Sequence, residues 1–463
     1  MSHRLFGLLA ITAVGLLLRL VGADRWSLWS DEALTLVIAQ WPLKTLFLAP
    51  ADPTPGLYYA LHKLVLGPDV GVVAARSISI VAGTLLIPAA YWLAREARVP
   101  ALLIAALVAL SFPLIDYSQE ARAYSLLVLL VVLSAAAFAR WHRLQWTPVL
   151  WASLAFALLA FYTHFAAIFW TGPLAVAALW LGKRSAAAPV VGLAVLMVPE
   201  LARLAQYPAG HFSWLAQASL VEAADTLARN LLPFQPPLPI AVGILVLLGW
   251  RAWMHRSALK AWAAANRGAA AALLILCTIP LTVWLFGFVA KPIFMTRTIL
   301  LAIPGLLLAI SLLMRFEPRF VRFALVGALA ASLLVSGTMR EREDWREIAG
   351  RVRGGAVLVC ELWQAPAMLS ALERKAAIVP AGDGLMLVAG SPWAVAYFRA
   401  VTNPQAQRRA LMAGRRIGPD AFPVWAVPSG SVEDLPDKPG SLADTIGICE
   451  SRAGRDAPAY RAD

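Results

Sequence analysis

The sequence predicts a mainly α-helical, polytopic membrane protein with a small α/β domain at its C-terminal end. Hydrophobic residues make up 60% of the 463 residues and charged residues only 14%, whereas soluble domains average about a quarter charged. Apolar runs of about twenty residues, long enough to cross a bilayer, recur along the chain. After Gly337 these runs stop and charged residues, glycine and proline increase. We therefore expect a transmembrane domain over residues 1–338 and a soluble domain over residues 339–463.

The apolar runs predict a bundle of about eleven transmembrane helices. The first run is interpreted as a retained helix and not as a cleaved secretory signal, because no small-x-small site precedes Asp24 and many spans follow. The predicted spans are residues 5–22, 72–94, 99–115, 121–139, 148–162, 164–181, 187–203, 238–253, 268–290, 298–314 and 321–338.

The basic residues predict the orientation of this bundle. The formal net charge is +13, and in a soluble protein such an excess can indicate nucleic-acid binding. Here the cations concentrate in alternate loops, which we expect on the cytoplasmic side of a bacterial inner membrane. The other loops and the C-terminal domain then face the periplasm, and no nucleic-acid partner is predicted. The basic loops contain Arg95 and Arg98, Arg140 and Arg143, Lys183 and Arg184, Arg251 to Arg267, and Arg315 to Arg322.

The first outer loop begins with an acidic pair. Asp31 and Glu32 follow the first span and lie in the segment WSLWSDEA, residues 26–33. Ionisable groups at a membrane boundary are functional candidates; the alternative is an ordinary loop start whose tryptophans anchor in the interface. Residues 41–47 and 57–66 predict two short interfacial helices in the same loop.

Three further outer segments carry candidate site residues. Glu120 and Arg122 lie where a helix re-enters the membrane, and a simple neutralising ion pair is the alternative to a functional role. His164 lies at another outer turn, where a packed or capping histidine is the alternative to a ligand. Lys291 and Arg297 precede the tenth span; they suit a phosphate or, alternatively, snorkel to the interface.

The region after residue 338 predicts a small periplasmic α/β domain. Cys360 and Cys449 are a candidate disulfide because the periplasm is oxidising. Cys277 lies inside a span and is interpreted as a packing residue. The sequence contains no Walker loop, no dinucleotide-binding glycine motif and no zinc-like spacing. The predicted strands are residues 356–360, 377–379 and 424–427, with helical stretches between them.

Together, the outer residues predict a chemistry. A substrate with a long apolar chain and a phosphate, such as a sugar on a polyprenyl phosphate, suits carboxylates and cations beside lipid. One carboxylate can take the proton of an acceptor hydroxyl, and cations can stabilise the leaving phosphate. One inverting displacement therefore suffices, unlike the two flanking carboxylates of glycosidases. The outer charged candidates are Asp31, Glu32, Asp52, Asp116, Glu120, Arg122, Lys291 and Arg297.

Several of these segments resemble a known family. The chain looks like the polytopic type-C glycosyltransferases, and within them the branch of protein O-mannosyltransferases and lipid A aminoarabinose transferases. Each motif alone is weak, and it is their order and common side that make the set specific. The motifs are WSDEA (29–33), DPTPGLYY (52–59), SQEARAY (118–124) and KPIFMTR (291–297), with YTH (162–164) and DWR (344–346) in addition.

The resemblance implies roles for individual residues. It implies a polyprenyl-phosphate sugar donor and a catalytic base at Asp31. The neighbouring Glu32 is either catalytic or structural. The third motif is expected to contact the donor phosphate. Thr54 splits the two prolines of the second motif, a departure that leaves any metal or phosphate role there open. Mg²⁺ or Mn²⁺ also remains open, with Asp31 and Glu120 as candidate ligands. We assign donor-phosphate or lipid binding to Tyr58, Tyr59, Arg122, Lys291 and Arg297, and supporting roles to Asp52, Asp116, Glu120, Tyr124 and His164.

The sequence thus predicts a hexosyl- or pentosyltransferase that moves a sugar to a periplasmic glycan, lipid or protein hydroxyl. A lipid-linked-sugar transporter or flippase is the first alternative, and a non-catalytic assembly protein is the second. A transporter is expected to carry ionisable residues at mid-membrane and broken helices in paired positions. The polar candidates here gather on one face, without matching halves, which favours the transferase.

Overall fold

The computed structural model separates into two compact units. The first comprises Met1–Ala23 with Trp41–Arg340, and the second comprises Asp24–Gln40 with Glu341–Asp463. Helices make up the first unit, so the predicted helical class is confirmed. The domain boundary at residue 338 stays a prediction. The structure describes residues 3–48, 54–67, 70–206, 216–231, 238–336, 345–351, 356–359, 377–380, 386–390, 393–397 and 424–427.

A helix lies at each predicted span and at both predicted interfacial segments. The bounds are α1 (His3–Leu20), α2 (Ser30–Ala39), α3 (Leu43–Leu48), α4 (Leu57–Val65), α5 (Val72–Glu96), α6 (Ala101–Ala109), α7 (Phe112–Asp116), α8 (Tyr124–Leu144), α9 (Thr147–Thr163), α10 (Ile168–Gly182), α11 (Ala187–Ala205), α12 (Leu220–Leu231), α13 (Leu238–Met254), α14 (Arg256–Ala265), α15 (Arg267–Val289), α16 (Thr296–Ile299), α17 (Ile303–Leu313), α18 (Arg319–Ser336) and α19 (Trp345–Arg351).

Within the described residues, seven helical segments are long and apolar enough to cross a membrane. Two bent helix pairs, α6 with α7 and α13 with α14, raise this number to nine if each pair is one span. A multi-pass membrane protein is thereby supported, while the count of eleven spans stays a prediction. The seven segments are His3–Leu20, Val72–Glu96, Tyr124–Leu144, Phe165–Gly182, Arg184–Ala205, Arg267–Val289 and Thr296–Phe316.

The predicted continuous span over residues 99–115 is broken in the structure. Helix α6 ends at Ala109, and the axis bends by 61° before α7 and the 3-10 turn Tyr117–Gln119 continue. Pro113 lies in the first turn of α7, where its missing N–H costs nothing, whereas inside a continuous helix it removes a hydrogen bond. The break brings the third motif to the end of the bundle as a folded segment instead of a short loop.

Helix α8 is the central helix of the first unit. It packs against α5 and α9, and most of its side chains are buried, including Leu127 and Val131. Cys277 lies in α15 but on an exposed face, so its interpretation as a packing residue is wrong. Its neighbour Leu276 is fully buried because adjacent residues on a helix point in directions about 100° apart.

The described strands of the second unit form one sheet in the order β2-β3-β4-β1-β5. β1 pairs in parallel with β4 and β5, while β3 pairs antiparallel with β2 and β4. Strands lie at the three predicted segments; between the second and third, β3 and β4 form a hairpin that pairs Gly390 with Trp393, where helical stretches were predicted. Cys360 and Cys449 lie outside the described residues, and their disulfide stays a prediction. The strands are β1 (Ala356–Val359), β2 (Ala377–Pro380), β3 (Met386–Gly390), β4 (Trp393–Tyr397) and β5 (Val424–Val427).

The β3–β4 hairpin has a local physical reason. Gly390 and Trp393 form the last residue pair of this hairpin, and Met386 and Tyr397 form the first. Each strand contains one valine, and β4 begins with Trp393 and ends with Tyr397, residue types that favour extended backbone. The α/β class of the whole domain is not settled by these strands and stays a prediction.

Helix α12 begins with a reciprocal cap that gives a pH prediction. The Glu222 carboxylate accepts a hydrogen bond from the Ser219 backbone N–H (2.8 Å), and the Ser219 hydroxyl accepts one from the Glu222 N–H (3.3 Å). The hydrogen bond from the Ser219 backbone is the main cause that lowers the pKa of Glu222 from its ordinary value, and the contact with the Ser219 side chain is the second. Because the carboxyl pKa is lower in the folded state, the charged carboxylate stabilises the helix at pH values above the pKa of the unfolded chain. This stabilisation is lost as the pH falls through the pKa of the folded state.

We expect Glu222→Gln to speed hydrogen–deuterium exchange in the first turn of α12 at neutral pH. The difference between the two proteins should shrink as the pH falls through the lowered pKa of Glu222, because the wild-type carboxylate then takes up a proton. Exchange in α13 serves as the internal control and should be unchanged. A difference that persists undiminished at low pH would show that the charge is irrelevant to this cap.

Candidate functional site

The third motif is buried at the start of α8. Asp116 is 2% exposed, and Glu120 and Arg122 are each 7% exposed. Buried charges are costly unless they are hydrogen-bonded or paired. The segment from Asp116 to Tyr124 therefore needs a precise environment, and three neighbouring helices supply contacts that hold it.

Helix α1 holds the segment through Gln119. The Gln119 side-chain amide donates to the carbonyl oxygens of Val21 (2.7 Å) and Arg19 (3.2 Å). These carbonyls lie at the C-terminal end of α1, where helical C=O groups lack intrahelical partners. One side chain thus satisfies the helix end and fixes the neighbouring Glu120 in space.

Arg19 makes a second link from α1. Its fully buried guanidinium donates to the Gly15 carbonyl (2.8 Å), the Ser118 hydroxyl (3.2 Å) and the Val108 carbonyl (3.3 Å). Val108 lies in the last turn of α6, so Arg19 also satisfies a carbonyl at the helix break. The sequence reasoning did not single out Arg19, although a cation inside the first predicted span was a usable signal.

Tyr58 and Arg122 belong to one hydrogen-bonded chain. The Ser79 hydroxyl of α5 donates to the Arg122 carbonyl (2.9 Å) and lies 2.7 Å from the Tyr58 hydroxyl, which then donates to it. Tyr58 is fully buried and Tyr59 is 2% exposed. The second and third motifs, about sixty residues apart in sequence, therefore meet in the structure through Ser79.

Tyr124 and His164 extend this cluster. The Tyr124 ring lies 5.4 Å from the His164 ring and 5.3 Å from the Tyr117 ring, measured between centroids. The Arg122 guanidinium lies 6.0 Å from the centre of the Tyr124 ring, within reach of a cation–π interaction. His164 Nδ1 accepts a hydrogen bond from the Ala166 N–H (3.1 Å), so the capping role named as the alternative is present.

The lysine and arginine of the fourth motif lie on either side of a tight turn. The Thr298 hydroxyl contacts the Ile293 carbonyl (2.7 Å) and the Met295 N–H (3.1 Å), which closes the turn that begins α16. Lys291 and Arg297 are both partly exposed. The 3-10 turn that follows α16 packs against α8 and α15, so this motif belongs to the same unit as Arg122.

The acidic pair of the first motif begins α2, in the second unit. Glu32 is fully buried, and its carboxylate accepts a hydrogen bond from the Trp29 N–H (3.3 Å). This contact favours the structural role that was left open for Glu32. Asp31 is only partly buried and lies in the first helical turn, where the helix dipole favours a carboxylate.

The segment that carries Asp31 docks on α19. The Trp345 N–H donates to the Ser27 hydroxyl (3.0 Å), and the Arg346 guanidinium donates to the Asp24 carbonyl (2.9 Å). Trp345 and Ile348 are fully buried. The sequence placed WSDEA and DWR in one family pattern but gave no reason to expect them in contact.

A buried ion pair in α11 was also missed. Glu200 and Arg203 contact through two oxygens, with a shortest N–O distance of 2.6 Å, and both side chains are at most 2% exposed. The Tyr162 hydroxyl donates to the nearby Leu196 carbonyl (2.9 Å). The signal was available, because a carboxylate and a cation three residues apart in an apolar run form a helical pair.

A metal site is not apparent in the part of the chain that the structure describes. No group of three or more His, Cys, Asp or Glu side chains there could hold an ion. The two candidate ligands, Asp31 and Glu120, lie in different units, and Asp52 lies outside the described residues. Mg²⁺ or Mn²⁺ binding therefore stays a prediction.

Comparisons with known proteins agree with the motif reading. Residues 51–191 match the family model for dolichyl-phosphate-mannose-protein mannosyltransferase. This stretch contains the described part of the second motif, the third motif and His164. No curated protein sequence matches the chain significantly.

Three solved structures show similarity at low sequence identity. ArnT from Cupriavidus metallidurans bound to undecaprenyl phosphate is 16% identical, with 79% of this chain and 74% of that chain covered and a TM-score of 0.45. The same protein in the apo state is 17% identical, with 80% of this chain and 75% of that chain covered and a TM-score of 0.49. The Archaeoglobus fulgidus oligosaccharyltransferase tethered to an acceptor peptide is 10% identical, with 80% of this chain and 63% of that chain covered and a TM-score of 0.46.

The motifs, the apolar helices and the family model lead to one assignment. The resemblance stated from the sequence is confirmed by the model match over residues 51–191, and the described helices of this stretch include three long apolar segments. The chain is similar to the membrane glycosyltransferases of the dolichyl-phosphate-mannose-protein mannosyltransferase family.

Proposed function

We propose that this protein transfers a sugar from a polyprenyl phosphate to an acceptor hydroxyl on the periplasmic side of a bacterial inner membrane. The observation that carries the proposal is the buried cluster around Arg122. Tyr58 reaches its backbone through Ser79, and Tyr124 and His164 lie beside it. All of these residues fall within the stretch that matches the mannosyltransferase family.

In the proposed mechanism the donor phosphate is bound by cations. The planar guanidinium of Arg122 is assigned as a two-pronged hydrogen-bond donor to the phosphate oxygens. Lys291 and Arg297 are assigned as additional positive charges for the same phosphate. Tyr58 and Tyr59 are assigned to the phosphate and the first lipid units. A cation at this place stabilises the negative charge that the leaving phosphate gains in the transition state.

Asp31 is proposed as the base. It takes the proton of the acceptor hydroxyl while that oxygen attacks the anomeric carbon and the bond from this carbon to the phosphate oxygen breaks. The electron pair of the broken bond leaves with the polyprenyl phosphate, so no separate acid is needed. One displacement of this kind inverts the anomeric configuration, and the acceptor is a glycan, a lipid or a protein hydroxyl.

A donor panel tests this function. Purified wild-type protein is incubated with synthetic polyprenyl phosphates that carry different hexoses or pentoses, and release or transfer of the sugar is measured. We expect cleavage of at least one donor. A transporter or an assembly protein would bind donors without cleaving any, and that result would reject the transferase.

We further expect Arg122→Gln to weaken binding of the donor. A hydrogen bond to a charged group contributes about 1.5–3 kcal/mol, so the dissociation constant should rise roughly 10- to 150-fold. Arg184→Gln, which removes an exposed cation from a predicted cytoplasmic loop, is the matched control and should bind normally. Equal binding by both variants would remove Arg122 from the phosphate site.

A further inference from the structure

A second basic surface lies at the corner between α13 and α14. The two helices meet at an angle of 76°, so α14 does not continue the direction of α13. Around this corner and the loop before α18, five cations are exposed and the described stretches contain a single carboxylate, Glu317. We call the five cations the basic corner; they are Arg256, Lys260, Arg267, Arg315 and Arg319.

Specific contacts join the two parts of the basic corner. The His255 ring stacks on the Phe316 ring, with centroids 4.3 Å apart and planes 11° from parallel. Arg251 forms an ion pair with Glu317, so that carboxylate is already compensated. These contacts make the α13–α14 corner and the loop one surface with an excess of positive charge.

One face of α14 is fixed to the bundle. Trp262 is 8% exposed, and its indole N–H donates to the Ala97 carbonyl at the end of α5 (2.8 Å). Leu259 and Ala263 pack against the hydrophobic core from the same helix. Arg256 and Lys260, four residues apart, lie along the edge of this apolar face and are exposed.

Exposed tryptophans accompany these cations. Trp250 and Trp253 lie in the last turns of α13 and are 52% and 60% exposed. The Arg256 guanidinium lies 4.6 Å from the centre of the Trp253 ring and donates to the Trp253 carbonyl (3.1 Å). Tryptophan prefers the level of the lipid head groups, so this pairing places Arg256 at the depth of the phosphates.

The basic corner is separate from the proposed donor site. Helix α15 begins at Arg267 and ends at Val289, close to Lys291. Its 23 residues span about 34 Å at 1.5 Å per residue. The two sets of cations therefore lie at opposite ends of the same helix, and one phosphate cannot serve both.

We propose that the basic corner binds the head groups of anionic phospholipids in the surrounding bilayer. The exposed guanidinium and ammonium groups complement lipid phosphates, and the neighbouring tryptophans contact the interfacial part of the same lipids. A helix with an apolar face packed on the bundle and exposed cations and tryptophans beside it is typical of contact with an anionic membrane surface. This binding is distinct from sugar transfer and does not depend on the identity of the donor.

Native mass spectrometry of the delipidated protein tests the proposal. Phosphatidylglycerol or phosphatidylcholine is added to wild type, to R256Q/K260Q/R319Q and to the control R4Q/R95Q/R184Q. The control removes the same charge from exposed residues in other parts of the predicted cytoplasmic side. We expect the first variant to bind phosphatidylglycerol at least about tenfold less tightly, because each cation near an anionic lipid contributes roughly a factor of five.

The control should keep the wild-type preference for phosphatidylglycerol over phosphatidylcholine. Equal losses in both triple variants would show diffuse attraction to total charge, and no loss in either would show that the corner binds no head group; both results overturn the proposal. The single variants Lys260→Gln and Arg319→Gln, expected to show smaller losses, replace the triple variant if it does not fold. The charge-conserving variant R256K/K260R/R319K should retain the preference.

Discussion

Asp31→Asn should lower sugar transfer by roughly 100- to 10,000-fold, the contribution expected of a positioned general base. The asparagine has nearly the shape of the aspartate and can still accept a hydrogen bond, but it cannot take a proton from the acceptor. Binding of the donor should be unchanged, since the phosphate contacts are assigned to other residues. The measurement is single-turnover sugar transfer together with the donor dissociation constant.

Asp24→Asn is the matched control for this experiment. Asp24 lies in the same short segment and is exposed, and its backbone carbonyl accepts the hydrogen bond from Arg346. Transfer should stay near the wild-type rate in this variant. If Asp31→Asn transfers sugar as fast as Asp24→Asn, Asp31 is not the base, whereas the donor panel can still show a transferase.

Gly83→Ala should destabilise the protein by about 1–3 kcal/mol, the usual cost of overpacking. A Cβ atom at Gly83 would overlap the Ser118 hydroxyl and would lie 3.0 Å from Arg19 Nε. Neither neighbour can move freely, because Ser118 donates to the Leu114 carbonyl and Arg19 binds the end of α6. The apparent melting temperature in detergent measures the effect.

Gly243→Ala provides the comparison. Gly243 lies in α13 with no atom within 4 Å of a Cβ at that position, so this change should be neutral or stabilising by up to about 1 kcal/mol, the helix-propensity difference. Gly83→Ala should also reduce sugar transfer, because it displaces the segment of Glu120 and Arg122. Equal melting temperatures for the two variants would mean that Gly83 of α5 lies farther from Ser118 than the structure indicates.

The elements that the sequence predicted well are those with a strong local signal. Apolar length alone predicted a helix at each expected span, and short apolar runs predicted strands where β1, β2 and β5 lie. The order of motifs indicated the resemblance to the family, and a family model matches residues 51–191. For the helices and strands, the relevant information lay within about twenty neighbouring residues, the scale of a single span.

The misses depend on contacts between distant parts of the chain. The side chains of Gln119 and Arg19 donate hydrogen bonds to backbone carbonyls of other helices. Because every residue has a backbone carbonyl, the sequence does not indicate which one accepts such a bond. The break at Pro113 was hidden because the apolar run continues across it. Ser79, an unremarkable residue in a span, links Tyr58 to Arg122 only because α5 passes between them.

The contact between Ser27 and Trp345 has a consequence for biosynthesis. These residues are 318 positions apart in the chain, so the ribosome makes the Asp31 segment long before its partner exists. At about 5–20 residues per second, the delay is roughly 15 to 60 s. During that interval the nascent segment lacks the partner that α19 provides, and a chain released before Trp345 would carry its proposed base on an undocked helix.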